Sequence, residues 1–208
     1  MDTTAVKTSF GSHFSQIAWV VNDIQVAERF FQNVIGTGHF VKLENLNARE
    51  LEGTYYGKPG DFVFHLYMGY SGESLIELIQ PVSGQSIFQD YLDKNATGGI
   101  QHIAYSIPVS ELDTAISEFT NKGYPVITSL NLPVAKVVFF DTSKDIGVVT
   151  EVIGVTEAGV EFVQQQNDPG MGAAFRRTGP GSRRDRSHSA NRGGLSIGVR
   201  PAARCGRT

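Results

Sequence analysis

Gly98-Gly99-Ile100-Gln101-His102-Ile103-Ala104-Tyr105-Ser106-Ile107 decides how this chain is read. It has the alternation of a half-buried strand, with a histidine near its start. An earlier stretch repeats it: Gln16-Ile17-Ala18-Trp19-Val20-Val21 lies over His102-Ile103-Ala104-Tyr105-Ser106-Ile107. A second pair of stretches also overlays, Leu75-Ile76-Glu77-Leu78-Ile79 on Val149-Thr150-Glu151-Val152-Ile153. Each copy therefore opens with a strand carrying a polar residue and closes with a strand carrying a glutamate. Repeats of this size imply two structural copies packed together.

Between these landmarks the pattern fills in twice. After the first strand, Asp23 is a helix N-cap, Ala27, Phe30, Phe31 and Val34 recur at helical spacing, and Gly36 supplies a stop. Strands are expected at about 39 to 44, 61 to 68 and 74 to 79. The loop before the second of these carries Arg49, Tyr55, Tyr56 and Gly57-Lys58-Pro59-Gly60, with the two tyrosines suited to a lid. In the second copy Ser110, with Asp113 three residues on, reads as a capping box. Leu112, Ala115, Ile116 and Phe119 form the buried stripe of that helix, and strands follow at about 125 to 129, 134 to 140 and 147 to 153. The expected fold is α+β: two tandem βαβββ modules forming a curved mixed sheet around a cleft. The first module spans 12–80 and the second 99–155. A linker with a short helix spans 81–98, and an extension spans 156–208.

That extension changes the composition. From Gln166 to Thr208 there are nine Arg, no Lys and two Asp, whereas the preceding residues hold seven Lys and two Arg against nineteen Asp and Glu. Gly, Ser, Arg and Pro without periodicity imply a disordered tail. Its arginines lack the aromatic interleaving of a nucleic-acid arm, so no nucleic-acid partner is expected. The single cysteine, Cys205, rules out an intrachain disulfide. No apolar run approaches a membrane span and the N-terminus lacks an apolar signal core, so a soluble, cytoplasmic protein without a membrane partner is expected.

Strand alternation groups the polar residues. Gln16 shares a face with Ala18 and Val20, and His102 with Ala104 and Ser106, so small neighbours leave room beside each long side chain. A glutamate within an apolar strand must be paired, hydrogen-bonded or metal-bound. His13 is three residues before Gln16, and an odd offset puts it on the opposite face. Gln16, Glu77, His102 and Glu151 thus form a candidate metal site of three oxygen donors and one nitrogen. Zinc, nickel, cobalt, manganese and ferrous iron all suit such a set.

These stretches, with Ala27, Phe30-Phe31, Gln101-His102-Ile103-Ala104 and Thr150-Glu151-Val152, resemble the vicinal oxygen chelate superfamily over about residues 13 to 154. That superfamily includes glyoxalase I, methylmalonyl-CoA epimerase, extradiol dioxygenases and bleomycin-resistance proteins. The resemblance implies metal ligands at Gln16, Glu77, His102 and Glu151, closest in pattern to glyoxalase I and epimerase-like proteins. Animal-type glyoxalase I holds glutathione with arginines at positions where this chain has Val20 and Gly98, which argues against glutathione. A CoA thioester would need basic contacts, for which Lys58, Lys136 and Lys144 are the candidates. The activity implied is that of a metal-dependent lyase, isomerase or epimerase acting on a small carbonyl or aromatic substrate through an enediolate or enolate. Glu151 is the expected base, and Glu77 its proton partner or a ligand. Two alternatives stand beside it. One is a metal-free sequestering protein with a cleft lined by Phe62, Phe64, Tyr67, Tyr105, Phe139 or Phe140. The other is an iron-dependent dioxygenase, disfavoured by the single histidine. A homodimer is also implied.

Overall fold

The computed structural model describes residues 13–72 and 74–160. The Arg-rich tail lies outside the described residues. The first module comprises β1 (Phe14–Val20), α1 (Ile24–Phe30), β2 (Val41–Asn47), a small hairpin of β3 (Thr54–Tyr55) and β4 (Lys58–Pro59), β5 (Val63–Ser71) and β6 (Ser74–Ser83). Helix α2 (Ile87–Lys94) follows. The second module comprises β7 (Gly99–Pro108), α3 (Leu112–Asn121), β8 (Val126–Leu132), β9 (Ala135–Phe140), α4 (Ser143–Ile146) and β10 (Val149–Val155).

The main strands form one curled mixed sheet in the order β2-β5-β6-β1-β7-β10-β9-β8. Within each module the first and last strands run parallel, β1 beside β6 and β7 beside β10. The modules join through the antiparallel pair of their first strands, β1 and β7. The four strands that carry the repeated polar residues are therefore the four at the centre.

The two faces of the sheet bury different things. On the outer face α1 covers Trp19, Tyr67, Ile76 and Leu78, and α3 covers Ile107, Val138, Phe140 and Val152. On the inner face Val20, Phe64, Leu66, Ile79, Val137, Phe139 and Val149 share a core with Ile87 and Phe88 of α2. This settles the aromatic positions. Phe62, Phe64 and Phe139 belong to the inner core, whereas Tyr67, Tyr105 and Phe140 belong to the outer ones.

Three local expectations need correction. The helix after β1 does not bury Phe30 or Val34, which are 50% and 68% exposed. Its buried face runs through Ile24, Glu28 and Phe31, and the chain widens into a π turn at Phe31–Ile35. The wider turn advances less per residue, so Val34 falls off the packed face. Glu28 concealed this face from the hydrophobic pattern. Its carboxylate is buried because Lys42 Nζ reaches it at 2.6 Å. Second, Ser110 caps nothing. Val109–Glu111 is a short 3₁₀ turn, and Glu111 precedes α3 without a side-chain cap. A capping serine needs extended backbone, and Ser110 already lies inside that turn.

Third, Tyr55 and Tyr56 do not stand free as a lid. Their loop is stitched to β8 of the other module: the Tyr56 amide donates to the Ile127 carbonyl at 2.7 Å and the Asn131 amide to the Leu51 carbonyl at 2.8 Å. Thr54 Oγ1 also accepts from the Ser129 amide, and the Tyr55 hydroxyl bonds Asp90 on α2 at 3.0 Å. At its other end the loop continues from β2, so it ties the two outer strands of the curled sheet together.

Gly98 fixes how β7 enters. Its φ is +72°, and a Cβ there would lie 2.5 Å from the Val20 carbonyl oxygen. Gly98→Ala should therefore destabilise the fold by about 1–3 kcal/mol from backbone conformation alone, before any clash. Chemical denaturation measures this, and an unchanged midpoint would contradict the close approach.

Candidate metal centre

The register of the central strands assembles the site. Ala18 sits opposite Glu77 on β6 and opposite His102 on β7; Ala104 sits opposite Gln16 on β1 and opposite Glu151 on β10. Each alanine is fully buried and projects only a methyl group between two long side chains. The four polar groups lean together over these two small floors. The pseudo-symmetry of the sequence is thus a real symmetry of position: Gln16 matches His102, and Glu77 matches Glu151.

All four are buried. His102 Nε2 lies 3.0 Å from Glu77 Oε2 and 3.3 Å from Glu151 Oε2. Gln16 Nε2 donates to Glu151 Oε2 at 2.9 Å, so its carbonyl oxygen is the atom left for a ligand. The donor atoms of Glu77, His102 and Glu151 all lie within 4.8 Å of one another. Two carboxylates, one imidazole and one amide fit a divalent ion of borderline hardness and neutralise its charge. The edge of the Phe139 ring meets His102, with centroids 5.1 Å apart, and Phe88 and Phe64 continue this apolar wall.

Without a metal, protons do the neutralising. Burial opposes an imidazolium at His102, but hydrogen bonds and charge from Glu151 and Glu77 outweigh it and push the pKa up to about 9. Burial pushes the Glu151 carboxyl above its ordinary range; the charge of Glu77 adds to this, while His102 and Gln16 oppose it.

Strand parity does not exclude His13, although His13 stays out of the cluster. Ser15 is an extra residue in β1, since Phe14 pairs with Tyr105 and Gln16 with Ala104. This bulge reverses the alternation and turns Phe14 outward onto Tyr105. His13 is exposed at the strand's start. A residue that the sequence pattern missed is Gln101, which is buried beside His102 and hydrogen-bonded to its ring. Two adjacent polar residues, Gln101 and His102, between Ile100 and Ile103 were the available signal.

Lysine and arginine are absent from the inner core among the described residues. Lys136 alternates with the inward Val137 and so lies on the outer face. Lys42 lies over the Tyr67 ring on the outer face, and Lys58, Lys144, Arg29 and Arg49 are exposed. The two positions that hold arginines in animal-type glyoxalase I, Val20 and Gly98, are occupied by core packing and by a backbone contact with each other.

Comparison with known proteins agrees with this architecture. A family model described as the Glyoxalase/Bleomycin resistance protein/Dioxygenase superfamily matches residues 15–137. The chain belongs to that superfamily. Among solved structures, it is similar to methylmalonyl-CoA epimerase from Mycobacterium tuberculosis, with 17% identity, a TM-score of 0.51, and coverage of 72% of this chain and 92% of that one. It is also similar to a Streptomyces coelicolor methylmalonyl-CoA epimerase variant in complex with 2-nitronate-propionyl-CoA, with 20% identity, a TM-score of 0.51, and coverage of 70% and 94%. A hypothetical protein from Bacillus halodurans aligns at 21% identity with a TM-score of 0.50, covering 67% of this chain and 91% of that one. At these identities the likeness is one of fold. No curated protein sequence matches significantly. Among the described residues no helix is long and apolar enough to cross a membrane.

The raised pKa values set a pH dependence for the metal-free protein. A raised folded-state pKa at His102 stabilises fully below its unfolded value, near 6.5, and is lost as pH rises through about 9. The raised Glu151 pKa acts in the same direction. The melting temperature of metal-free protein should therefore fall between about pH 6.5 and 9. His102→Phe should flatten that slope, and a slope unaltered by the substitution would contradict the proton-sharing cluster.

Proposed function

We propose that this protein is a metal-dependent lyase or isomerase of the glyoxalase and epimerase type, acting on a small carbonyl compound. The observation that carries this reading is the pair of buried carboxylates, Glu77 and Glu151, within bonding reach of one imidazole. Gln16, Glu77, His102 and Glu151 would hold a divalent zinc, nickel, cobalt, manganese or iron ion. A bound ion of this kind supplies Lewis acidity to two neighbouring substrate oxygens and so favours an enediolate or enolate.

The chain's own groups would do the rest. Glu151 is the base, because burial lifts its proton affinity toward the range where a carboxyl can both take and return a proton. Glu77, opposite it across the pseudo-twofold, is a ligand or the partner that delivers a proton. The Phe139, Phe88 and Phe64 wall keeps the surroundings apolar, which strengthens each electrostatic interaction there. The lack of inward lysine or arginine among the described residues favours a substrate whose reacting end carries little negative charge. Any phosphate-bearing portion, such as the CoA of the epimerase neighbours' substrate, would have to remain outside the bowl. A homodimer is part of this reading, following the family resemblance, and sedimentation analysis would measure it.

A metal-free sequestering role is the second reading, favoured by the aromatic inner wall and the neutralised triad. An iron-dependent dioxygenase is less well supported, because the donor set offers one imidazole rather than two. Elemental analysis of natively purified protein discriminates among them. About one equivalent of a divalent transition metal, lost in His102→Ala, supports the metal-dependent reading; no metal and no uptake of added ions supports sequestration.

For the enzyme, dicarbonyls with thiols, 2-oxo acids and acyl thioesters are the substrates to screen. Glu151→Gln should lower kcat by about 10²–10⁴-fold on whichever substrate turns over. The double variant with Glu77→Gln should be inactive yet folded by circular dichroism; turnover in that variant would refute the mechanism.

A further inference from the structure

Strand β7 contains one more residue than its partner can pair. Ala18 pairs with His102 and Trp19 with Ile100, so Gln101 is skipped. Such a bulge re-aims side chains, and here it does so visibly. Gln101 and His102 are sequence neighbours whose side chains meet at 2.6 Å, although neighbours on a regular strand face opposite ways. The same irregularity occurs in β1, where Ser15 is skipped immediately before Gln16. Each module thus places a bulge directly before its polar strand residue. The two bulges have different occupants. Ser15 donates its hydroxyl to the Ala104 carbonyl at 3.2 Å. Gln101 instead brings its amide oxygen to 2.6 Å from His102 Nδ1.

We propose that Gln101 is the positioning residue of the centre, locking the His102 ring so that Nε2 is the nitrogen turned to the carboxylates and to a metal. An amide oxygen only accepts, so Nδ1 must carry the proton in this contact. That leaves Nε2 facing Glu77 and Glu151, at 3.0 and 3.3 Å. Phe139, perpendicular to the ring, cannot tell a ring nitrogen from a ring carbon, and the carboxylates of Glu77 and Glu151 reach only the Nε2 side. Gln101 is the partner that fixes the Nδ1 side. Outer hydrogen bonds of this kind set tautomer and orientation in metal-ligating histidines generally, and losing one weakens metal binding by about 10–100-fold.

The metal arm of this inference rests on the proposed metal-dependent reading; the ring-orientation arm does not. Both are tested on the full chain labelled with ¹⁵N-histidine, with His102 signals assigned by their loss in His102→Ala. In metal-free protein, the His102 Nδ1 proton should resonate as a hydrogen-bonded, slowly exchanging signal. It should move upfield or vanish in Gln101→Leu and move further downfield in Gln101→Glu, whose carboxylate accepts more strongly. Competition titration with Zn²⁺ should show about 10–100-fold weaker binding in Gln101→Leu and recovery in Gln101→Glu.

An Nδ1 signal unmoved in both variants overturns the assignment to Gln101. If Gln101→Leu does not fold, the Gln101→Glu signal alone decides it. Unchanged Zn²⁺ affinity in Gln101→Leu with a shifted Nδ1 signal overturns the metal-directing role. A wild-type protein that takes up no Zn²⁺ overturns the metal reading, and the proton signal still judges the ring lock.

Discussion

Three titratable side chains, Glu77, His102 and Glu151, meet in the middle of the sheet with almost no access to water, and their mutual neutralisation constrains everything around them. A single buried carboxylate would be expensive, and two near each other more so. A protonated imidazole between them offsets one of the two charges, and the raised proton affinity of Glu151 offsets the other. A divalent ion would substitute for those protons without changing the net charge. The group could therefore hold a divalent ion in place of those protons.

The surrounding architecture serves that constraint. The polar groups can converge only because Ala18 and Ala104 separate them with methyl groups, and the register of four strands must hold for those alanines to lie where they do. Helices α1 and α3 fasten the outer face of each module independently. The joint between modules depends on β1 pairing with β7, and on the loop from β2 that reaches across to β8. That loop restrains the curl of the sheet from its edges, so the spacing of the central polar side chains does not rest on the central strands alone.

The duplicated unit also shows how symmetry was broken. The matching glutamates remain alike, but Gln16 stands where His102 does, and Ser15 stands where Gln101 does. One module thus supplies a neutral amide and the other a titratable ring with a partner for its far nitrogen. The absence of inward lysine or arginine among the described residues makes the bowl differ from one built to hold an anionic co-substrate. The epimerase neighbours share its fold at low identity, and the likeness extends no further than that.

Much of this was legible in the amino-acid order. The overlay of the two strand pairs predicts the βαβββ duplication, and period-two alternation places Gln16, Glu77, His102 and Glu151 on inward faces, because the pleat itself dictates which residues share a side. Asp23 is read correctly as a cap, since capping is a local matter. Other features depended on long-range contacts. Glu28 is buried only because Lys42, on a different strand, neutralises it, and no helical pattern could reveal that. Ser15 and Gln101 become bulge residues only when β1 and β7 pair, since a bulge is a mismatch between two strands rather than a property of either. The tyrosine loop looks like a lid until β8 of the other module offers it hydrogen bonds. The repeat, the strand faces away from the two bulges and the set Gln16, Glu77, His102 and Glu151 could be read from local periodicity. Their distances, the orientation of the His102 ring and the lack of inward lysine or arginine among the described residues are set by strands that meet far apart along the chain.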